Sequence, residues 1–235
     1  DGKTITITPD AGYEIEDVLI DGKSVGAVES YTFTDEKNHT VFVKFKKISQ
    51  PNPAERFIDI TGHWAEKEIR KAVENGLFDG VSATLFDPDG TMTRGMAAAV
   101  LGRMAGVDTA RYPNSAFNDV DSKQYYSPFV AWAKEAGIVD GIGGSLFAPE
   151  SAVTREQFAK MAAGYAKYAK LFGENVNGES RQAFADDGQI GDWAKESVYL
   201  LKAAGVLEGR PGNRFDPKAP LTRAEAAKIL NLLNQ

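Results

Sequence analysis

The alternation of polar and apolar positions changes period once along the chain. Over residues 1–47 it has period two. Thr4-Ile5-Thr6-Ile7-Thr8, Tyr31-Thr32-Phe33 and Val41-Phe42-Val43-Lys44-Phe45 each show the pattern of a half-buried strand. Asp10-Ala11-Gly12 and Asp21-Gly22-Lys23 supply turn chemistry. This predicts four short strands over a thin core, marginal by itself. Ser49-Gln50-Pro51-Asn52-Pro53 reads as a linker. From Phe57 onward the period is helical. Ile69, Ala72 and Val73, then Phe129, Ala133 and Ala136, then Val198, Leu201 and Ala204 form three apolar faces. These helices begin at Trp64, Tyr125 and Trp193 and stop at Gly76, Gly137 and Gly205, where glycine is the expected C-cap.

The helical region repeats itself. Each copy opens with Phe-x-Asp: Phe57-Ile58-Asp59, Phe117-Asn118-Asp119 and Phe184-Ala185-Asp186. After the helix and its glycine comes a loop with Phe86-Asp87-Pro88, Phe147-Ala148-Pro149 or Phe215-Asp216-Pro217. A second helix then opens at Met92-Thr93-Arg94, Val153-Thr154-Arg155 or Leu221-Thr222-Arg223. One helical pair of this size cannot bury its apolar faces alone, so the copies must cover one another, around an axis or in a row.

The opening of the second helix carries the candidate chemistry. Threonine is a capping residue, and Thr-x-x-Glu is a capping box. Thr222 with Glu225 fits the box, and so does Thr154 with Gln157. Thr93 has only Met96, and Gly95 lowers helix propensity there. The arginines are harder to explain by stability. Arg94, Arg155 and Arg223 stand at the positive end of the helix dipole, a poor place for a cation. Repeated three times, this suggests a surface that receives anions. A guanidinium offers a forked contact to carboxylate, and helix-start N–H groups would add to it. The plainer reading is a surface charge, or an ion pair with Asp59, Asp119 or Asp186. Those aspartates could equally cap the turn into the first helix or accept from sugar hydroxyls. Trp64, Tyr125 and Trp193 could be core anchors or platforms for sugar rings. Gly80, Gly141 and Gly209 would allow close backbone approach, to a neighbouring repeat or to a ligand.

Composition narrows the classes. The 235 residues contain no cysteine, which excludes disulfides, thiolate metal sites and a cysteine nucleophile. The net charge of −6 argues against a general nucleic-acid binder. No apolar stretch has the length of a membrane span. The two histidines, His39 and His63, belong to no catalytic motif. Acids such as Asp186 and Asp187 lie within a repeated phrase, where a unique active site is not expected. Asp87-Pro88-Asp89-Gly90 echoes a calcium loop but lacks its downstream glutamate. No enzyme, metal or cofactor is expected. The chain opens at Asp1 inside a β pattern, so it reads as part of a longer polypeptide.

Together, Phe-x-Asp, an aromatic at the helix start, helix-Gly, Phe-x-Pro and Thr-Arg-Ala-Glu resemble the surface-layer homology (SLH) repeat over residues 57–235. The resemblance implies a mainly α chain: three helical repeats in a pseudo-threefold, three-pronged spindle (57–112, 113–179 and 180–235). Before them stand a small all-β module (1–47) and a linker (48–56). Thr8-Pro9-Asp10-Ala11-Gly12-Tyr13 and Val18-Leu19-Ile20-Asp21-Gly22 in that module resemble an internalin B-repeat. The SLH likeness further implies an exported protein held non-covalently on a Gram-positive-type cell wall. The partner would be an acidic secondary cell-wall polysaccharide, often ending in pyruvylated N-acetylmannosamine, bound in grooves between repeats. Arg94, Arg155 and Arg223 would contact its acidic group. Gly95 and Met96 depart from the family's pair, which ranks the groove of Arg94 last and that of Arg223 first. Neighbouring surface-layer proteins are a further expected partner. The competing reading is a protein–protein or self-assembly module.

Overall fold

A computed structural model of the chain describes residues 2–47, 52–172 and 183–234. The linker positions 48–51 and the polar run Gly173–Gly178 lie outside the described residues. The chain divides into two units, Asp1–Pro51 and Asn52–Gln235.

The first unit contains β1 (Lys3–Thr6), β2 (Tyr13–Ile20), β3 (Lys23–Gly26), β4 (Ser30–Phe33) and β5 (Val41–Lys47). Asp21 and Gly22, with φ of 48° and 77°, make the tight turn that pairs Ile20 with Lys23. The strands form two separate antiparallel sheets, β1-β4 and β3-β2-β5. Ile15, Val18, Ile20 and Phe33 are the buried core between them. One all-β module is therefore not what the segment makes. β1 and β4, four residues each, pair only with each other and do not join the longer β2 and β5 in a single sheet.

The second unit contains α1 (Glu66–Glu74), α2 (Arg94–Met104), α3 (Ser127–Glu135), α4 (Arg155–Tyr168), α5 (Asp192–Ala203) and α6 (Arg223–Leu233). The first helix of each repeat ends on a left-handed glycine, Gly76, Gly137 or Gly205. There the next N–H reaches back, as from Leu77 to the Ala72 carbonyl, in a Schellman motif. Helices pair between repeats rather than within them: α3 packs on α2, α5 on α4, and α1 on α6. Each repeat also carries a buried phenylalanine pair, Phe57–Phe86, Phe117–Phe147 and Phe184–Phe215.

The expectation of a mainly α chain is corrected as well. Of the described residues 35% are helical and 17% lie in strands or bridges. Part of that 17% is inside the repeats. The extended backbone before each second helix pairs with another repeat, in the bridges Thr93–Ala152, Thr154–Pro220 and Thr91–Thr222. At their centre three backbone bonds close a ring: Met92 N–H to Leu221 O, Leu221 N–H to Val153 O, and Val153 N–H to Met92 O, at 2.9, 3.0 and 2.9 Å. Met92, Val153 and Leu221 are buried there.

Candidate functional site

Each second helix starts by spending its free N–H groups. Thr93, Thr154 and Thr222 accept from the N–H three residues on, at Met96, Gln157 and Glu225. Gln157 and Glu225 return a bond to the threonine N–H at 3.1 Å, which completes two capping boxes. The first two helical N–H groups go to another repeat. Arg94 and Gly95 donate to the carbonyls of Ser151 and Pro149. Arg155 and Glu156 donate to Ala219 and Pro217, and Arg223 and Ala224 to Gly90 and Pro88. Helix-start amides that face a ligand, as expected from sequence, are therefore ruled out. The bridging backbone of another repeat occupies them.

The arginine side chains follow the same hand-over. Arg94 donates from Nε to the Phe147 carbonyl at 2.8 Å and from Nη2 to the Asp140 carbonyl at 2.9 Å. Arg223 reaches the carbonyls of Phe86 and Asp79 at 2.8 and 2.7 Å. Arg155 reaches those of Phe215 and Glu208 at 2.7 and 3.5 Å. Each guanidinium also faces a phenylalanine ring, at 4.5 Å for Phe147, 5.2 Å for Phe215 and 4.5 Å for Phe86. The three are 7%, 6% and 6% exposed in chain order, so they are not solvated surface charges. Burial pushes each guanidinium below its usual pKa, yet arginine keeps its charge in proteins. Arg155 alone has a carboxylate in contact, Glu225 Oε1 at 2.8 Å from Nη1. Among the described residues no carboxylate lies within 4.0 Å of Arg94 or Arg223, and Nη1 of each has no hydrogen bond there.

An open cleft lies beside each arginine, and each draws on all three repeats. Arg94 lines a cleft of about 220 Å³ with Asp140, Gly141, Ile142 and Trp193. Arg155 lines one of about 140 Å³ with Glu208, Gly209, Arg210 and Trp64. Arg223 lines one of about 360 Å³ with Asp79, Gly80, Val81 and Tyr125. Trp64, Tyr125 and Trp193 are 60%, 52% and 49% exposed; they are cleft walls rather than core anchors. Each meets the arginine of a different repeat, a pairing that helix periodicity along one repeat does not reveal.

Asp59, Asp119 and Asp186 belong to the frame and line none of these clefts. Asp119 accepts from the N–H groups of Phe147 and Ala148 at 2.8 and 2.7 Å. Asp59 does the same for Phe86 and Asp87, and Asp186 for Phe215 and Asp216. The second residue gripped in each case has positive φ: 60° at Asp87, 57° at Ala148 and 51° at Asp216. The aspartates thus hold a strained corner, neither capping the first helix nor pairing with the arginines. Burial pushes the Asp119 carboxyl up, but these amides and the charge of Arg94 leave it below its usual value. Gly141 is likewise framework. A Cβ there would sit 2.6 Å from the Leu146 carbonyl and 2.8 Å from the Phe117 ring.

Sequence reasoning missed two sets of cleft residues. Gln157, Glu225 and Met96 line the clefts of Arg94, Arg155 and Arg223 respectively. Ile142, Arg210 and Val81, each following the loop glycine, line the same clefts in the same order. Aligning the repeats and asking which positions vary in polarity would have found both.

Comparison with known proteins finds the three repeats as a family. The family model for the S-layer homology domain matches residues 56–98, 116–159 and 183–227. The chain is 33% identical over 175 residues to "Exoglucanase XynX" of Acetivibrio thermocellus, covering 74% of this chain and 16% of that protein. It is 30% identical over 206 residues to "Amylopullulanase" of Thermoanaerobacterium thermosulfurigenes, covering 87% and 11%. With "S-layer protein sap" of Bacillus anthracis it shares 29% identity over 168 residues, covering 72% and 20%. The chain thus spans a fifth or less of each of these relatives.

Proposed function

We propose a function that starts from the family: the chain belongs to the S-layer homology domain family. It is a cell-surface anchoring module, located outside the cell, and the family is a binding module rather than a catalyst. The finer reading is that it holds an acidic secondary cell-wall polysaccharide, pyruvylated on a terminal sugar, in the clefts between repeats. Residues 57–112, 113–179 and 180–235 act as the three repeats that build those clefts. Arg94, Arg155 and Arg223 supply the charge, and Trp193, Trp64 and Tyr125 the ring platforms. Gly141, Gly209 and Gly80 let the loops beside those clefts pack close on the phenylalanines Phe117, Phe184 and Phe57 of their own repeats.

The observation that supports this reading is a buried guanidinium without a carboxylate partner, at Arg94 and Arg223, beside an exposed aromatic face. A desolvated cation gains most from an incoming anion. An exposed ring next to it packs on the C–H face of a pyranose. No proton transfer is needed. Purified cell-wall sacculi should bind the chain and lose it when the polymer is stripped or its pyruvate removed. Full retention on stripped walls would turn the reading toward a protein or peptidoglycan partner.

A further inference from the structure

At the third place of the Thr-Arg phrase stand Gly95, Glu156 and Ala224. Only Glu156 has a polar side chain to reach out from there, and that side chain is 4% exposed. A carboxylate buried so far is costly unless its oxygens are paired. Oε1 takes the ammonium of Lys218, and Oε2 accepts from the Gly191 N–H at 2.9 Å. Both partners belong to repeat 3. Gly191 is the residue from which α5 starts, where the helix dipole favours a negative charge.

Gly191 stands two places before Trp193, the aromatic wall of the Arg94 cleft. Both its backbone polar groups are tied. The N–H goes to Glu156, and the carbonyl accepts from the Ala194 and Lys195 N–H groups at 2.8 and 3.2 Å. The indole lies against this residue: a Cβ on Gly191 would sit 2.5 Å from Trp193 Nε1. The backbone there thus sets how the ring leans into the cleft. Lys160 Nζ lies 5.5 Å from the Trp193 ring centroid and pairs with Asp140, the acid that lines this cleft, at 3.2 Å. The other two aromatics are held differently. Two places before Trp64 the Gly62 N–H goes to Glu66 at 2.8 Å, and two before Tyr125 the Lys123 N–H goes to Asp121 at 2.9 Å. Those acceptors sit in the same repeat as the aromatic, and a Cβ on Gly62 would meet nothing within 4 Å.

We propose that Glu156 is a positioning residue for the Arg94 cleft. Its bond to the Gly191 N–H fixes the stance of Trp193, so that a carboxylate of repeat 2 sets how the ring platform of repeat 3 faces the guanidinium of repeat 1. The inference rests on the acidic-glycan reading above for what the platform holds, and adds the residue that sets it.

The test uses the full chain and a synthetic pyruvylated N-acetylmannosamine monosaccharide, followed by nuclear magnetic resonance. The indole N–H signal of Trp193 reports on the Arg94 cleft, and the methyl signal of Met96 on the Arg223 cleft. Before sugar is added, Glu156→Ala should shift the Trp193 signal and leave that of Met96 in place. Alanine is already housed at the equivalent place of α6, as Ala224. Glu156→Gln keeps an oxygen for the Gly191 N–H and should keep the Trp193 signal. Gly191→Ala reaches the ring by another route. Its φ of −59° suits any residue, so the added Cβ displaces the indole without straining the backbone. On titration with the sugar, Glu156→Ala and Gly191→Ala should weaken the site that Trp193 reports by about two- to tenfold, with the Met96 site unchanged. A Trp193 signal unmoved in Glu156→Ala would overturn the proposal, and so would equal losses at both reporters, which a general loosening would give. Should sugar move neither reporter in the unaltered chain, the acidic-glycan reading falls, while the sugar-free Trp193 signal still decides whether Glu156 sets the ring.

Discussion

The two units solve the same problem of covering apolar surface with different means. The unit before residue 52 closes two small sheets over four buried side chains. The unit after it closes a ring, in which each repeat gives its arginine and helix-start N–H groups to another and takes a helix face in return. One unit depends on a handful of side chains. The other distributes its support over backbone bonds that no single side chain controls. Side-chain polar atoms buried by the ring are paired almost throughout. Among the side-chain atoms of the described residues, only Ser127 Oγ and Asn231 Oδ1 are fully buried without a partner.

The sharpest way to break the ring is to empty its phenylalanine pairs. Phe86→Ala should cost about 3–5 kcal/mol, because Phe86 is fully buried against Phe57 and Phe78. Denaturant unfolding followed by tryptophan fluorescence reads this unit alone, since Trp64, Trp132 and Trp193 all lie in it. Next in size is Arg223→Ala. It leaves the carbonyls of Phe86 and Asp79 without a donor, at roughly 2–4 kcal/mol. The same denaturation curve would show it. An unchanged midpoint would mean that the arginine is held by nothing that matters to the fold. Val18→Ala removes one of the four core side chains of the β unit and should cost about 2 kcal/mol. In so thin a core that is enough to lose the far-ultraviolet strand signal while tryptophan fluorescence stays native.

The smallest effect is one of pH, and it belongs to the β unit. His39 lies between Asp21 and Asp35, at 2.7 and 2.6 Å, with its ring on Phe33. Hydrogen bonds to Asp21 and Asp35 raise the His39 pKa, and the bonds from His39 lower those of both aspartates. The histidine contribution is complete below its ordinary value of 6.5 and is lost as pH rises through the raised one. The aspartate contributions are complete above 3.8 and are lost as pH falls through the lowered ones. The β unit should therefore be most stable in the mildly acidic window between these values. Thermal melts by circular dichroism across pH should show a hump that His39→Gln flattens, with the ring unit's fluorescence transition unmoved.

What could be read from sequence was local. Threonine caps, glycine stops and phenylalanine spacing act within one turn of chain, and each has a residue signature. The arginines' partners do not. They are main-chain carbonyls on another repeat, and any residue type supplies a carbonyl. The same cause hid the bridges, which are too short to show a strand period, so helix was overcounted. Met96 shows the point most directly. Read along the chain, it weakens the start of α2 beside Arg94. In space it is the wall of the Arg223 cleft. Gly95, read as a loss of rigidity, is instead required by the Tyr126 ring, which a Cβ would meet at 2.9 Å.

The closed circle of Met92, Val153 and Leu221 main-chain bonds also limits how such a protein can change over time. A linear array gains or sheds a copy at its ends and leaves the others undisturbed. Here there is no end to add to, and deleting or inserting one unit would strand donors and acceptors on both sides of the gap. Copy number is therefore frozen. Differences between the repeats have to fall on side chains outside that circle, as Met96, Gln157 and Glu225 do at the fourth place of the Thr-Arg phrase.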